Sequence, residues 1–314
     1  MGRPSALCVV LGALVLLLFV NWLSSLVRGG PYTAPPSSGA VVYIYAMANE
    51  PRHEWQAQAL EFSMMLHRQP GHVIRCIAPH ALYPNRPVPV FERPGETLVM
   101  EDYSRLAAGC LGALQPGSVL EVTRRRLLSE TTPVVLLDVN MLFTRQWSPD
   151  VRPGLAVGQR WAGYTAAFCR ATSAPPRHEL CPKAEQDALV LPVALAAGEL
   201  HEIAEEYMAA FLESPCRWRA DRTALVLALQ RRGCATASET TLCVCGDWPN
   251  ADDPAAPLVN YRQPIFSTDG ERLWNKEEHV PGAQLPDPAL AGNRVGRETL
   301  RLLKLHGEHR PQTE

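Results

Sequence analysis

At 314 residues the chain has room for one large domain or two modest ones, and 46% hydrophobic with 20% charged residues is too apolar for general disorder. A formal net charge of −2 and no dominant basic stripe give no reason to expect a nucleic-acid partner. The densest basic run, Arg124–Arg126, reads as a solvated face.

From Ala6 to Val27 the sequence is apolar and uncharged, A-L-C-V-V-L-G-A-L-V-L-L-L-F-V-N-W-L-S-S-L-V. About 20 apolar residues suffice to cross a bilayer as a helix, and Trp22 suits an interfacial anchor. A cleaved signal peptide competes with this reading, but no clear small-x-small cleavage site follows the run. The expected organisation is a short cytosolic tail (1–5), an uncleaved transmembrane signal anchor (6–27), a Gly-, Pro- and Ser-rich stem (28–39), a lumenal domain (40–283) and a loose polar tail (284–314). That makes a single-pass type II protein of the Golgi or endoplasmic reticulum membrane. Eight of the nine cysteines lie beyond the anchor. An even number in an oxidising lumen is compatible with disulfides, while Cys243-x-Cys245 has no partner at zinc spacing. Structural thiols and disulfides both remain open.

After the stem, strand-like and helix-like segments alternate. Ala40–Ala46 is a short β-rich run, and Arg52–Leu66 follows with Trp55, Ala59, Phe62, Ser63 and Leu66 at helical spacing. His72–Ile77 is a second strand. Pro84–Pro94 is a Pro-punctuated loop, and Glu101–Leu114 is a helix closed by Pro116-Gly117. Val134–Leu137 is a buried strand. Leu189–Ala194 is another, with Pro192 suited to an edge or a bulge. Leu195–Leu212 and Asp221–Arg232 are helices. This alternation implies an α/β layer fold with a largely parallel sheet, in which ligands bind beyond the carboxyl ends of the strands. His53, His67, His201 and His279 have no metal spacing and read as surface or loop histidines.

The stretch Pro133–Trp147, P-V-V-L-L-D-V-N-M-L-F-T-R-Q-W, carries most of the chemistry. Its apolar run stops at Asp138 and restarts after Asn140. Residues two apart on an extended chain share a face, so a carboxylate and an amide oxygen stand side by side at a strand end. Such a pair is a weakened Asp-x-Asp device for holding a divalent cation against a diphosphate. Asp followed by Asn at a strand end also suits a turn or a helix cap.

Three separated pieces together resemble the hydroxyproline O-arabinosyltransferase and peptidyl serine α-galactosyltransferase family of anchored glycosyltransferases. The first is V-V-Y-I-Y-A-M-A-N-E-P-R-H-E-W-Q, a strand followed by Trp55 and Gln56. The second is L-L-D-V-N-M-L-F, an acidic strand end before Phe143. The third is V-N-Y-R-Q-P-I-F-S-T-D-G-E-R-L-W-N-K-E-E-H-V-P, which carries Asn260, Tyr261, Gly270, Trp274, Lys276 and Pro281. The resemblance spans about Val41 to Pro281. It implies a GT-A-like nucleotide-sugar-binding fold and transfer of a pentose or galactose from a nucleotide sugar, such as a UDP-sugar, to a hydroxyl of a protein or glycan. It implies Asp138, Asn140 and Asn260 as ligands of a divalent cation, Mn²⁺ in the first instance. Asn49, Trp55 and Gln56 would flank the nucleotide, Asp221 would be the acidic residue near the acceptor, and Trp274 would line the acceptor groove. Asp221 also suits the first turn of its helix as a cap or dipole partner, and the tryptophans also suit the core. The chain departs from the family where Asn140 replaces a second carboxylate and Asn260 replaces a His. A degenerate lumenal binding or scaffold protein on the same fold is therefore the alternative. No Gly-x-Ser-x-Gly elbow or His-Glu-x-x-His helix supports a hydrolase.

Overall fold

The computed structural model describes residues 40–160, 189–213, 220–239, 242–245 and 251–309. The expected tail, anchor and stem lie outside these residues, as do Cys169, Cys181 and Cys216. No helix among the described residues is long and apolar enough to cross a membrane. Of the described cysteines, Cys76, Cys110, Cys234 and Cys243 are free thiols.

The chain opens with β1 (Val42–Ala48), α1 (Pro51–Leu66), β2 (His72–Ala78) and β3 (Glu96–Val99). Two short 3₁₀ turns lead into α2 (Leu114–Arg124), then β4 (Pro133–Leu137), β5 (Met141–Phe143) and β6 (Leu155–Arg160). Next come β7 (Leu189–Ala196), α3 (Ala197–Leu212), α4 (Ala220–Arg231), β8 (Ala235–Glu239) and β9 (Cys243–Cys245). The chain closes with β10 (Leu258–Asn260), the β11–β12 pair (Ile265–Phe266, Arg272–Trp274) and α5 (Arg294–His309).

The main sheet has seven strands in the order β3-β2-β1-β4-β7-β6-β8. Only β7 runs against its neighbours β4 and β6, and the other pairings are parallel. The fold is thus mixed α/β with a large, mostly parallel central sheet. Strands buried on both faces read as continuous apolar runs. The residues of β1 and β4 obey this, with Val42–Tyr45 and Val134–Leu137 fully inaccessible. A second sheet, β5-β10-β9, sits where the chain leaves β4, with Asn260 in register with Met141.

Two apolar clusters result. The larger covers the main sheet and includes α2, α3 and α4. The smaller joins Trp55 and Ala59 of α1 to Leu142, Val259, Tyr261, Trp274 and the α5 residues Val295, Leu300, Leu302 and Leu303. Helix α1 therefore belongs to both. Its Ser63 hydroxyl accepts the Phe143 amide proton at 2.9 Å, pinning β5 against the helix.

Two expectations need correction, and one resolves between its alternatives. Pro116-Gly117 does not close a helix but lies in the first turn of α2, where a proline's missing N–H has no intrahelical partner to lose. Of the edge or bulge that Pro192 suits, the bulge is found: β7 is interior, and the ladder passes from Gly158 opposite Val193 to Gln159 opposite Val190, so Leu191 and Pro192 bulge out of it. Residues 294–309, expected as part of a loose tail, form α5, because Val295, Thr299, Leu300, Leu302 and Leu303 recur on one face and bury there.

Candidate functional site

The strand order reverses at β1: the chain steps outward through β2 and β3, then crosses back to place β4 on the other side of β1. A crevice opens at such a switch point beyond the carboxyl ends of the two strands. Here it is a cleft of about 200 Å³ whose lining includes Arg52, His53, Gln56, Asp138, Asn140, Asp221 and Lys276. Whole-ligand pockets usually enclose about 300–1,000 Å³, so the enclosed part suits a small polar group rather than a whole ligand. A larger cleft of about 390 Å³ lies between Trp55 and the end of α5, lined by residues such as Pro281, Leu285, Leu303 and His306. Glu308 is its one carboxylate; the acids expected from the sequence are in the smaller cleft.

Asp138 follows β4 directly and turns the chain. Its Oδ1 accepts the Asn140 backbone N–H at 3.2 Å and the Asn140 side-chain amide at 2.9 Å, while its main-chain carbonyl accepts Met141 N–H at 3.1 Å. The turn and the paired oxygens are thus the same object: the side chain that caps the turn is the one presented to the cleft. The other carboxylate oxygen faces Arg222 Nη2 at 3.5 Å, and Arg222 Nε lies 3.9 Å from Asp221 Oδ2. Asp221 occupies the first turn of α4. Burial raises its pKa above the usual carboxylate range, opposed by the Arg222 charge and reinforced by that of Asp138.

Lys276, on the loop after β12, closes the constellation. Its Nζ donates to Asn140 Oδ1 at 3.0 Å. Burial pulls the Lys276 pKa below the usual lysine range, while the carboxylates of Asp138 and Glu277 act against that. Arg52 at the rim pairs with Glu277 and, at 3.3 Å, with Glu50. His53 Nδ1 accepts the Ala48 N–H at 3.1 Å and lies 3.2 Å from Glu50 Oε1; burial lowers its pKa, and the Glu50 charge acts against that.

The structure brings Asp138, Asn140, Asp221 and Gln56 to one cleft. It places the others elsewhere. Asn260 uses its Oδ1 to accept the Arg262 N–H at 3.1 Å, capping its own turn. Asn49 donates its amide to the Arg86 carbonyl at 2.9 Å and so ties down the Pro-rich loop. Trp55 stacks on Tyr261 at 6.1 Å between ring centroids, with Trp274 edge-on at 6.4 Å and His279 at 4.7 Å. Both tryptophans are core residues of the smaller cluster. His53 was hidden among residues without metal spacing, although its place two residues into the helix after β1 marks it. Lys276 carried no role of its own; a basic residue two positions after Trp274 was its only signal.

The fit of a hard divalent cation can be judged from these contacts. Among the described residues no three His, Cys, Asp or Glu side chains converge to hold a metal. Asn140 Oδ1, the expected second ligand, already accepts from the Lys276 amine. Two unit charges about 4 Å apart near a protein surface interact by about 4 kcal/mol, so a dication sharing that oxygen with the ammonium would meet about twice this in repulsion. While Lys276 holds this contact, Asn140 does not serve as the second ligand. The sequence matches no protein-family model and no curated protein.

Proposed function

We propose that the domain of residues 40–309 binds a sugar nucleotide on a GT-A-like framework and transfers its sugar to a hydroxyl of a protein or glycan, in a type II protein held in the Golgi or endoplasmic reticulum membrane by residues 6–27. The observation that carries this reading is the position of Asp138: a carboxylate at the end of β4, in a cleft at the switch point between β1 and β4. The first turn of α1, with Arg52 and His53 on the cleft, adds the positive end of a helix where a diphosphate would lie.

In the transfer, the bond between the anomeric carbon and the phosphate oxygen breaks and its electron pair leaves with the nucleoside diphosphate. The acceptor oxygen forms the new bond and gives up its proton. Asp221, with its pKa raised by burial, is the cleft residue suited to receive that proton. Asp138 orients Asn140 and Arg222 around the leaving group. A second reading, a binding protein without turnover, is favoured by one observation: Asp138 is the one carboxylate of the Asp138–Asn140 turn, and the neutral Asn140 amide is already engaged by Lys276. A screen of UDP- and GDP-sugars with the full-length protein in detergent tests both. Release of nucleoside diphosphate by the wild type and its loss in Asp138→Ala is the result expected of a transferase. Nucleotide binding without hydrolysis would establish the binding protein, and neither binding nor hydrolysis would refute the site.

A further inference from the structure

Resting on the nucleotide-site reading above, we infer that the Lys276 side chain replaces the divalent cation, and that this cleft takes a nucleoside diphosphate without metal. The contact of Lys276 Nζ with Asn140 Oδ1 at 3.0 Å places a cationic group against the oxygen that a metal would need. An ammonium has three donors. One is used on Asn140, and Glu277 Oε1 lies 3.9 Å away, beyond hydrogen-bond length, so two donors remain for phosphate oxygens in the cleft that Lys276 lines. The side chain is only 14% exposed, so its charge is poorly screened by solvent.

The surrounding residues hold it there. Asp138 accepts the Asn140 amide protons, which orients the amide with its oxygen toward Lys276. Trp274, two positions before, is 7% exposed in the smaller cluster and anchors the loop, and His279 N–H returns to the Lys276 carbonyl at 3.4 Å. The neutral side chain at position 140 then has a physical reason. A carboxylate at position 140 would bind the ammonium as an ion pair and draw its charge away from a ligand; a neutral amide positions the ammonium and leaves its charge uncompensated at that contact. Asn260 is likewise engaged within the fold, its Oδ1 accepting the Arg262 N–H at 3.1 Å.

The test is calorimetric titration of UDP and GDP into the full-length protein in detergent, with excess EDTA and then with Mn²⁺. The expected result is equal affinity for one of these nucleotides in both conditions, and a loss of about tenfold or more in Lys276→Met, the scale of one charged hydrogen bond. Asn140→Asp, which changes no volume, should weaken binding in EDTA and keeps the test open if the lysine variant does not fold. Wild-type affinity that appears only with Mn²⁺ would overturn the inference and leave the nucleotide site standing. Binding in EDTA that neither variant weakens would overturn the role of Lys276 alone. No binding of either nucleotide in any condition would remove the nucleotide site and this inference together.

Discussion

Replacing Glu61 with glutamine tests whether the face of α1 that meets the main sheet is organised by charge. Arg75 on β2 reaches Glu61 through Nε at 2.5 Å and Nη2 at 2.7 Å, and Tyr45 on β1 donates its hydroxyl to the same carboxylate at 2.6 Å. The two charged side chains are only 3% and 2% exposed. Arg75 also stacks its guanidinium 4.6 Å over Phe91 and donates to the Arg93 carbonyl. The substituted amide would keep the shape and one acceptor but leave the guanidinium without a counter-charge, a loss of about 3–5 kcal/mol for a buried pair. Urea unfolding of the full-length protein followed by tryptophan fluorescence reads the change. Glu278→Gln serves as an internal comparison, because the Arg272–Glu278 pair at 3.1 Å is 53% and 59% exposed and should contribute less than about 1 kcal/mol. The double replacement Glu61→Leu with Arg75→Met should recover much of the single loss, since a matched apolar pair avoids the desolvation cost of the ions. Recovery should be incomplete, because Tyr45 keeps a buried hydroxyl with no acceptor, worth about 1–3 kcal/mol. A loss below about 1 kcal/mol for Glu61→Gln would refute the view that this network is desolvated and cooperative.

Two further substitutions examine the corrected segments. In Gly117→Ala the added carbon would sit 2.5 Å from Tyr103 Cδ2, so a change that normally stabilises a helix by about 0.5–1 kcal/mol should instead lower the thermal midpoint, by the roughly 1–3 kcal/mol of overpacking; a raised midpoint would show that Tyr103 moves aside freely. Leu300→Ala, at a fully buried position of α5, should destabilise by about 2–5 kcal/mol in the same urea assay, whereas a neutral outcome would mean that α5 does not contribute to the fold.

The sequence was most legible where one physical demand acted alone. Strands β1 and β4 must be apolar on both faces, and their runs stop within a residue or two of where the structure ends them. Asp138 and Asn140 were legible for the same reason, as the first polar side chains after a buried strand. Legibility failed where two demands overlapped. Pro116 and Gly117 are helix breakers by composition, yet one sits in a first turn and the other lies against the Tyr103 ring, where a larger side chain has no room. The α5 segment is rich in Arg and Glu, and its overall polarity obscured a narrow apolar stripe. Trp55 and Gln56 are adjacent on one helix but face different surroundings, the first in the aromatic cluster and the second on the cleft. Lys276 could not be given a role from the sequence, because its partner lies 136 residues away.

That separation has a consequence for biosynthesis. The cleft draws its parts from α1, the turn after β4, the start of α4 and the loop after β12, so Arg222 joins Asp138 across 84 residues and Lys276 joins Asn140 across 136. Contacts this distant form only after long loops have closed. A nascent chain that stops short of Lys276 therefore holds the strand framework without its cationic partner. Any ligand that needs the whole cleft can therefore stabilise only a chain synthesised past Lys276, the finished polypeptide rather than an early intermediate.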